Sequence, residues 1–352
     1  MEGFMRLATI NKKYYCGIDL HAKNMCVCVK NKKGKILLHE EIPSKMDMLL
    51  KLLKRYLKEI AIACESTFNW YWLADGCRKH KIPFYLGHAL YMKHIHGGKQ
   101  KDDWIDSKKI TDLLRVNMLP LAYDYPEKMR TTRDLLRRRR RFVELRTGLY
   151  QHVKMYMYQQ GINDFPPKAT HNKKTRKELI SCFKNPDALM TLHTDLELTD
   201  HLDRLIMDIE NQVKKQAKHH DRKALALLQT IDGVGDMLSL TILYEMHKIN
   251  RFKNAQRFSS YSRVVIIDWS SAGKSYRGKN NKIGNPHLRW TFGQIACLSL
   301  KYYPEIKKHH EKMKKRFGNK KALSRLAHKF CVTIYYMLRN NEPFDVKKFV
   351  AS

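Results

Sequence analysis

Three short apolar runs open this chain with almost nothing between them. Tyr14-Tyr-Cys-Gly-Ile-Asp-Leu20, Met25-Cys-Val-Cys-Val29 and Lys35-Ile-Leu-Leu-His-Glu-Glu-Ile42 are joined by a turn after Leu20 and by Lys32-Lys-Gly-Lys35. Connections this short cannot carry a crossover, so consecutive strands must pair antiparallel, as a meander. Ser44 can cap the helix that follows, which places Met48, Leu49, Leu52, Leu53, Tyr56 and Leu57 on one face. Ile60-Ala-Ile-Ala-Cys-Glu65 reads as a buried strand, Trp70–Lys79 as a helix and Ile82–Leu86 as another strand. A last helix begins in Lys99-Gln-Lys-Asp-Asp-Trp-Ile-Asp-Ser-Lys-Lys-Ile110, where Ile105, Ile110, Leu113 and Leu114 supply the buried rhythm. Three strands, helix, strand, helix, strand, helix is the pattern of an α/β domain over residues 1–125.

Acids recur at defined places in that pattern. Asp19 lies on the first strand, Glu65 ends the fourth, and Asp103 and Asp106 stand three apart on the last helix, on one side of it. Asp102 competes with Asp103, but it points about a hundred degrees away from Asp103, which is the one that pairs with Asp106 at a three-residue spacing. Side-by-side carboxylates repel unless a cation separates them, and Mg2+ accepts carboxylate oxygens directly. Acids at a helix N-terminus also suit the macrodipole with no ion at all. Lys23 and Lys101 flank the acids, as phosphate contacts or as solvated lysines. The element order resembles the RNase H-like fold, and the acids resemble those of its RuvC-type resolvase branch. The resemblance implies that the first and fourth strands are sheet neighbours. Asp19 and Glu65 would then converge with Asp103 and Asp106 on one or two Mg2+ ions, which in two-metal sites lie about 3.5–4 Å apart.

Composition restricts the partners. The chain has 352 residues with 68 Lys and Arg against 34 Asp and Glu, a formal net charge of +34. That excess calls for a polyanion, and nucleic acid gains most from it through counterion release. No apolar run is long enough to span a bilayer, and Met1-Glu-Gly-Phe-Met-Arg has no signal-peptide core, so a cytoplasmic protein without a membrane partner is expected. The eight cysteines are scattered without zinc spacing and are expected to be reduced thiols.

From Pro126 to about Gln160 the sequence is helical and basic, with Arg137, Arg138, Arg139, Arg140 and Arg141 as its densest charge run. Such a run can grip a nucleic-acid backbone, although five consecutive residues wrap all sides of a helix and some must face plain solvent. A polar stretch with Pro166-Pro167 follows, and helical periodicity returns over Leu189–Lys218. Residues 126–220 are therefore expected to form a coiled-coil or dimerisation arm. Residues 221–352 begin with a helix, the turn Ile231-Asp-Gly-Val-Gly235 and a second helix. This resembles a helix-hairpin-helix, in which Gly233 and Gly235 let backbone N–H groups approach a phosphate; a plain structural turn reads equally well. A glycine-punctuated loop over Asp268–Arg277 and Lys279–Trp290 precedes a helix expected from Thr291.

Taken in order, Gly17-Ile-Asp19, Glu65, Lys101-Asp-Asp-Trp-Ile-Asp106, Ile231–Gly235, Ser271-Ala-Gly-Lys, Lys282-Ile-Gly-Asn285 and Leu288-Arg289 resemble the DEDD-type insertion-sequence transposases related to the Piv and MooV DNA invertases. The resemblance implies a site-specific DNA recombinase with Mg2+-binding carboxylates and a mostly α C-terminal transposase domain. That domain would supply a serine nucleophile. It implies guidance by a noncoding bridge RNA, and dimers that join into tetramers on donor and target DNA, with one subunit's serine completing another's site. The family serine maps best to Ser271; Ser270 is the alternative and Ser275 a more distant one. Lys274, Arg277, Lys282 and Arg289 become candidate backbone contacts. Two other functions compete: a metal-dependent junction resolvase or nuclease, which needs the acids but not Ser271, and an inactive derivative that only binds nucleic acid.

Overall fold

The computed structural model describes residues 6–95, 102–165, 173–217, 219–265, 268–271, 274–277 and 284–351, with the backbone alone for 93–95, 173–174, 268–271 and 274–277. The chain forms two compact units, Met1–Lys128 and Met129–Ser352.

The first unit is built on a mixed sheet. Its strands are β1 (Tyr14–Leu20), β2 (Asn24–Asn31), β3 (Ile36–Pro43), β4 (Ile60–Glu65) and β5 (Phe84–Gly87), in the order β3-β2-β1-β4-β5. The opening meander pairs antiparallel as its short turns dictate, while β4 runs parallel to β1 and β5 parallel to β4. The β1 and β4 neighbourhood required by the RNase H-like expectation is present. The central strands are buried on both faces. Cys16, Ile18 and Leu20 pack with Leu49 and Leu53 of α1 (Met46–Leu53) and Leu73 and Cys77 of α2 (Tyr71–Lys79). Tyr15, Ala61 and Ala63 face the other way, onto Ile110, Leu113 and Leu114 of α4 (Asp103–Arg115). A short α3 (Ala89–Ile95), absent from the sequence reading, lies between β5 and α4.

The second unit is mostly helical. α5 (Glu127–Gln159) and α7 (Pro186–Ala217) run antiparallel: Arg139 pairs with Glu210, Arg146 with Asp203 and His152 with Asp195, partner numbers falling as the first rise. The tip of this arm closes on Val153, Met157, Leu192 and Leu196, together with Leu179 of α6 (Lys173–Ser181). At its root, Leu136, Val213 and Ala217 join the core of the remaining helices, so the arm and the C-terminal helices share one hydrophobic interior. Those helices are α8 (Arg222–Gln229), α9 (Asp236–Met246), α10 (Ala255–Tyr261), α11 (Pro286–Tyr302), α12 (Pro304–Phe317), α13 (Asn319–Asn340) and α14 (Val346–Ala351).

Two local expectations are corrected. The stretch around Ser271 is not simply a loop: β6 (Asp268–Ser271) and β7 (Lys274–Arg277) pair antiparallel, with Trp269 opposite Tyr276 and Ser271 opposite Lys274. Aromatic residues in matched positions either side of a two-residue connection are a hairpin signal. Helix α11 starts at Pro286, not at Thr291. The Asn285 side chain caps it by accepting from the His287 and Leu288 amides, and Pro286 fills the first turn, where its missing N–H costs nothing. No helix among the described residues is long and apolar enough to cross a membrane. The cysteines are unpaired, and all but Cys182 and Cys297 are buried.

Candidate active site

The site of the first unit lies where β1 and β4 end. Ile18 pairs with Cys64 in parallel register, so Asp19 and Glu65 occupy the next position on adjacent strands. Side chains alternate along a strand. Asp19 therefore falls on the face of Tyr15 and Gly17, and Glu65 on the face of Ala61 and Ala63, which is the face that α4 covers. Helix α4 begins there. Asp102 stands outside its first turn and accepts from the Trp104 amide at 3.1 Å, a capping contact. Asp103, one residue on, turns toward β1.

Between Asp19 and Asp103 stands His21. Its Nε2 is 3.3 Å from Asp19 Oδ2 and 3.3 Å from Asp103 Oδ1. One ligand atom from each of the three residues lies within 4.8 Å of the other two. Asp19 is largely enclosed, at 13% side-chain exposure, while Asp103 is open at 60%. Burial pushes the Asp19 carboxyl up, His21 draws it down, and the Asp103 and Asp106 charges push it up again, with a net rise from its ordinary value. On His21, burial opposes the charge, but the Asp19 and Asp103 carboxylates outweigh it and the imidazole pKa rises. The Asp19 shift is chiefly one of burial, whereas the His21 shift marks a place where two carboxylates favour a positive charge. The donor set, two carboxylates and an imidazole open to solvent, suits a divalent cation.

The other predicted acids are near but engaged differently. Asp106 accepts from Lys109 Nζ at 3.1 Å, and its charge is felt at Asp19. Glu65 is half-buried at the end of β4; neither it nor Asp106 belongs to the tight three-residue group. Lys23 is exposed in the turn after β1, and Lys101 lies outside the described residues.

Two features escaped the sequence reading. His21 follows Asp19 at a D-x-H spacing in the turn after β1, a metal-ligand signal in retrospect. The second is a polar seam beneath α4. Ser107 Oγ lies 3.0 Å from His39 Nε2 and 3.3 Å from Cys26 Sγ, and Thr111 Oγ1 donates to the Cys28 carbonyl at 3.2 Å. Ser107 and Thr111 are fully buried at positions that a polar reading of the helix assigns to solvent.

In the second unit the arginine run divides by the turn of its helix. Arg137 makes a two-pronged pair with Glu245, at 2.6 and 2.7 Å. Arg139 pairs with Glu210, and Arg140 pairs with Glu144 while stacking over Trp290. Arg138 and Arg141 are exposed, with no ion-pair partner among the described residues, and line a shallow open groove with Asp134 and Arg137. Gly233 has φ of +85°, and a Cβ there would meet the Tyr302 ring at 2.6 Å, so packing already demands this glycine; Gly235 is open and caps α9. Arg289 is exposed on α11. The side chains of Ser270, Ser271, Lys274, Ser275 and Arg277, and all of Lys282, lie outside the described residues.

Glu245 ties the segment after the serine hairpin to the long helix. It is 1% exposed, receives Arg137, and accepts from Asn285 Nδ2 at 2.7 Å. Burial pushes its carboxyl up, but the Arg137 guanidinium outweighs burial, and the pKa falls below the usual glutamate value. A depressed carboxylate stabilises the fold above its unfolded pKa, and that contribution is lost as pH falls through the folded value. Thermal melts of the wild type should therefore decline steeply on the acid side of the ordinary glutamate range. Glu245→Gln should be less stable at neutral pH and flatter below it. Parallel pH slopes for the two proteins would count against this role.

Comparison with known proteins bears on both units. Residues 16–160 match a transposase family, DEDD_Tnp_IS110, and residues 225–311 match the Transposase IS116/IS110/IS902 family. The chain is 23% identical over 226 residues to "Putative transposase y4rJ" of Sinorhizobium fredii (strain NBRC 101917 / NGR234), covering 58% of this chain. The alignment spans 56% of that relative's length, little more than half.

Proposed function

From a chain that matches IS110-type transposase families in both of its units, we propose a DNA transposase that cleaves and rejoins phosphodiesters with carboxylate-bound metal and a serine nucleophile. The observation that carries this reading is the convergence of Asp19 and Asp103 from a central strand and the covering helix, with Glu65 and Asp106 beside them. Asp19 and Asp103 would hold the cation, Mg2+ in the family's manner. A bound divalent ion supplies charge neutralisation at the transferring phosphoryl and lowers the pKa of an attacking hydroxyl. The protein's own part is to fix the donors: Asp19 by the β1 ladder, Asp103 by the capped first turn of α4.

Ser271 is our candidate nucleophile, at the end of β6 beside the hairpin connection, with Ser270 as the alternative. A serine oxygen attacks phosphorus, a phosphoserine ester forms, and the DNA hydroxyl leaves with the proton. The reverse attack by a second DNA hydroxyl restores the serine, so the bond energy is kept and no nucleotide is consumed. Donor and target duplexes are the proposed substrates, contacted by Arg138, Arg141 and Arg289 from the exposed basic surface, with Lys23, Lys101, Lys274, Arg277 and Lys282 as further candidates. The turn around Gly233 and Gly235 is a further candidate phosphate contact. We also propose a noncoding guide RNA, which the net charge of +34 would accommodate, assembly as a dimer or tetramer, and action in the cytoplasm.

The test is strand exchange between supercoiled donor and target plasmids, with the protein co-expressed with the noncoding flank of its element. Wild type should give joined products and a protein–DNA adduct. Ser271→Ala should lose both, and Ser270→Ala neither. Cutting by both serine variants without an adduct would make the protein a metal nuclease instead.

A further inference from the structure

We propose that His21 is a nitrogen ligand to the cation held by Asp19 and Asp103, and that it biases the site toward Mn2+ over Mg2+. This rests on the carboxylate metal site proposed above and adds to it a donor and a selectivity.

The geometry favours a ligand over a simple counter-charge. Charge-assisted N–H···O contacts close to about 2.7–2.9 Å. His21 Nε2 instead stands 3.3 Å from each of two carboxylate oxygens. Donors bound at about 2.0–2.2 Å and at right angles to one another lie about 3 Å apart. The spacing at His21 is near that value on both sides, and all three donor atoms fall within 4.8 Å. They can occupy one face of a single ion's coordination shell.

The backbone at His21 is held by three hydrogen bonds. Its carbonyl accepts from Ser44 Oγ at 2.9 Å and from Asn69 Nδ2 at 3.0 Å, and its amide donates to the Asn24 carbonyl at 3.0 Å. Those contacts come from the start of β2, the entry to α1 and the segment before α2. They fix the Cα from which the imidazole reaches. The ring itself is 54% exposed, which leaves the remaining coordination positions open to water or a phosphate oxygen. Imidazole is a softer donor than carboxylate, and Mg2+ prefers oxygen while first-row transition ions accept nitrogen.

The test uses the full-length protein without nucleic acid. Mn2+ binding is titrated by electron paramagnetic resonance, Mg2+ is measured by competition, and pulsed spectra are examined for nitrogen coupling to bound Mn2+. Wild type should show that coupling. His21→Ala should lose it and bind Mn2+ at least about tenfold more weakly, with a smaller loss for Mg2+, so that the preference narrows. The chain has 17 histidines, so loss of the signal on changing this one is the informative readout. Because the ring is half exposed, His21→Ala should melt like wild type. Nitrogen coupling absent from wild type, or surviving in His21→Ala, overturns the assignment of His21. Asp103→Asn separates the two levels: if it binds Mn2+ as wild type does, the carboxylate site itself is wrong and the His21 proposal falls with it. If Asp103→Asn weakens binding while His21→Ala leaves affinity and spectrum unchanged, only the His21 proposal is lost.

Discussion

Asp19→Asn should abolish strand cleavage and joining, by about a thousandfold or more, while leaving the fold intact or slightly more stable. The loss follows from what the carboxylate is asked to do. A metal-held phosphoryl transfer takes several kcal/mol of its barrier reduction from the ion, and each 1.36 kcal/mol is tenfold in rate. Asparagine keeps the shape of Asp19 but not the charge that fixes the ion. The stability side runs the other way. Burial and the neighbouring Asp103 and Asp106 raise the Asp19 pKa against the pull of His21. A carboxyl with a raised folded pKa favours the fold while protonated, and its ionisation costs stability as pH rises through the ordinary carboxylate range. At neutral pH without metal, removing that charge should therefore not lower the melting temperature. A stable, inactive Asp19→Asn is the signature of a site that trades stability for function. Strand exchange and thermal melts on one preparation decide it. Activity within tenfold of wild type would exclude Asp19 from the chemistry.

The sheet was legible because its information is local. Turns of a few residues force the β1–β2–β3 meander, and short, nearly unbroken apolar runs mark β1 and β4 as strands buried on both faces. Asp19 and Glu65 stand out in the sequence because each closes an otherwise apolar strand, and Asp103 because it shares a helix face with Asp106. What escaped depends on contacts distant in sequence. Helix α4 reads as an apolar stripe with polar flanks, yet Ser107 and Thr111 face the sheet because β1 offers a glycine there rather than a side chain. The five-arginine run reads as one feature, but helical rotation sends Arg137 to a buried glutamate 108 residues away and leaves Arg138 and Arg141 to solvent. His21 was hidden by its own exposure: a histidine in a turn is unremarkable until a helix that begins 82 positions later brings Asp103 against it.

Gly17→Ala should lower activity about a hundredfold, less than loss of Asp19 but far more than one methyl suggests. A Cβ at this position would lie 2.4 Å from the Thr111 amide nitrogen and 2.5 Å from the Ser107 carbonyl oxygen, both backbone atoms of α4. Flexible side chains can swing away from such a contact, but a helix backbone cannot. The methyl must therefore displace α4 from β1 or force the strand to bend. Overpacking of this kind costs about 1–3 kcal/mol of stability. The larger consequence is geometric. Asp103 begins α4, and its distance to Asp19 and His21 is set by how closely the helix sits on β1, sealed by Thr111 on the Cys28 carbonyl and by Ser107 on Cys26 and His39. Lifting the helix by even an ångström opens the three-donor group, and misplacement on that scale costs about a hundredfold in a preorganised site. Metal affinity and strand exchange should thus fall together in Gly17→Ala, with a modest drop in melting temperature. A shift confined to stability, with Mn2+ affinity unchanged, would mean that Asp103 is placed by the Asp102 cap alone and not by the packing of α4 on Gly17.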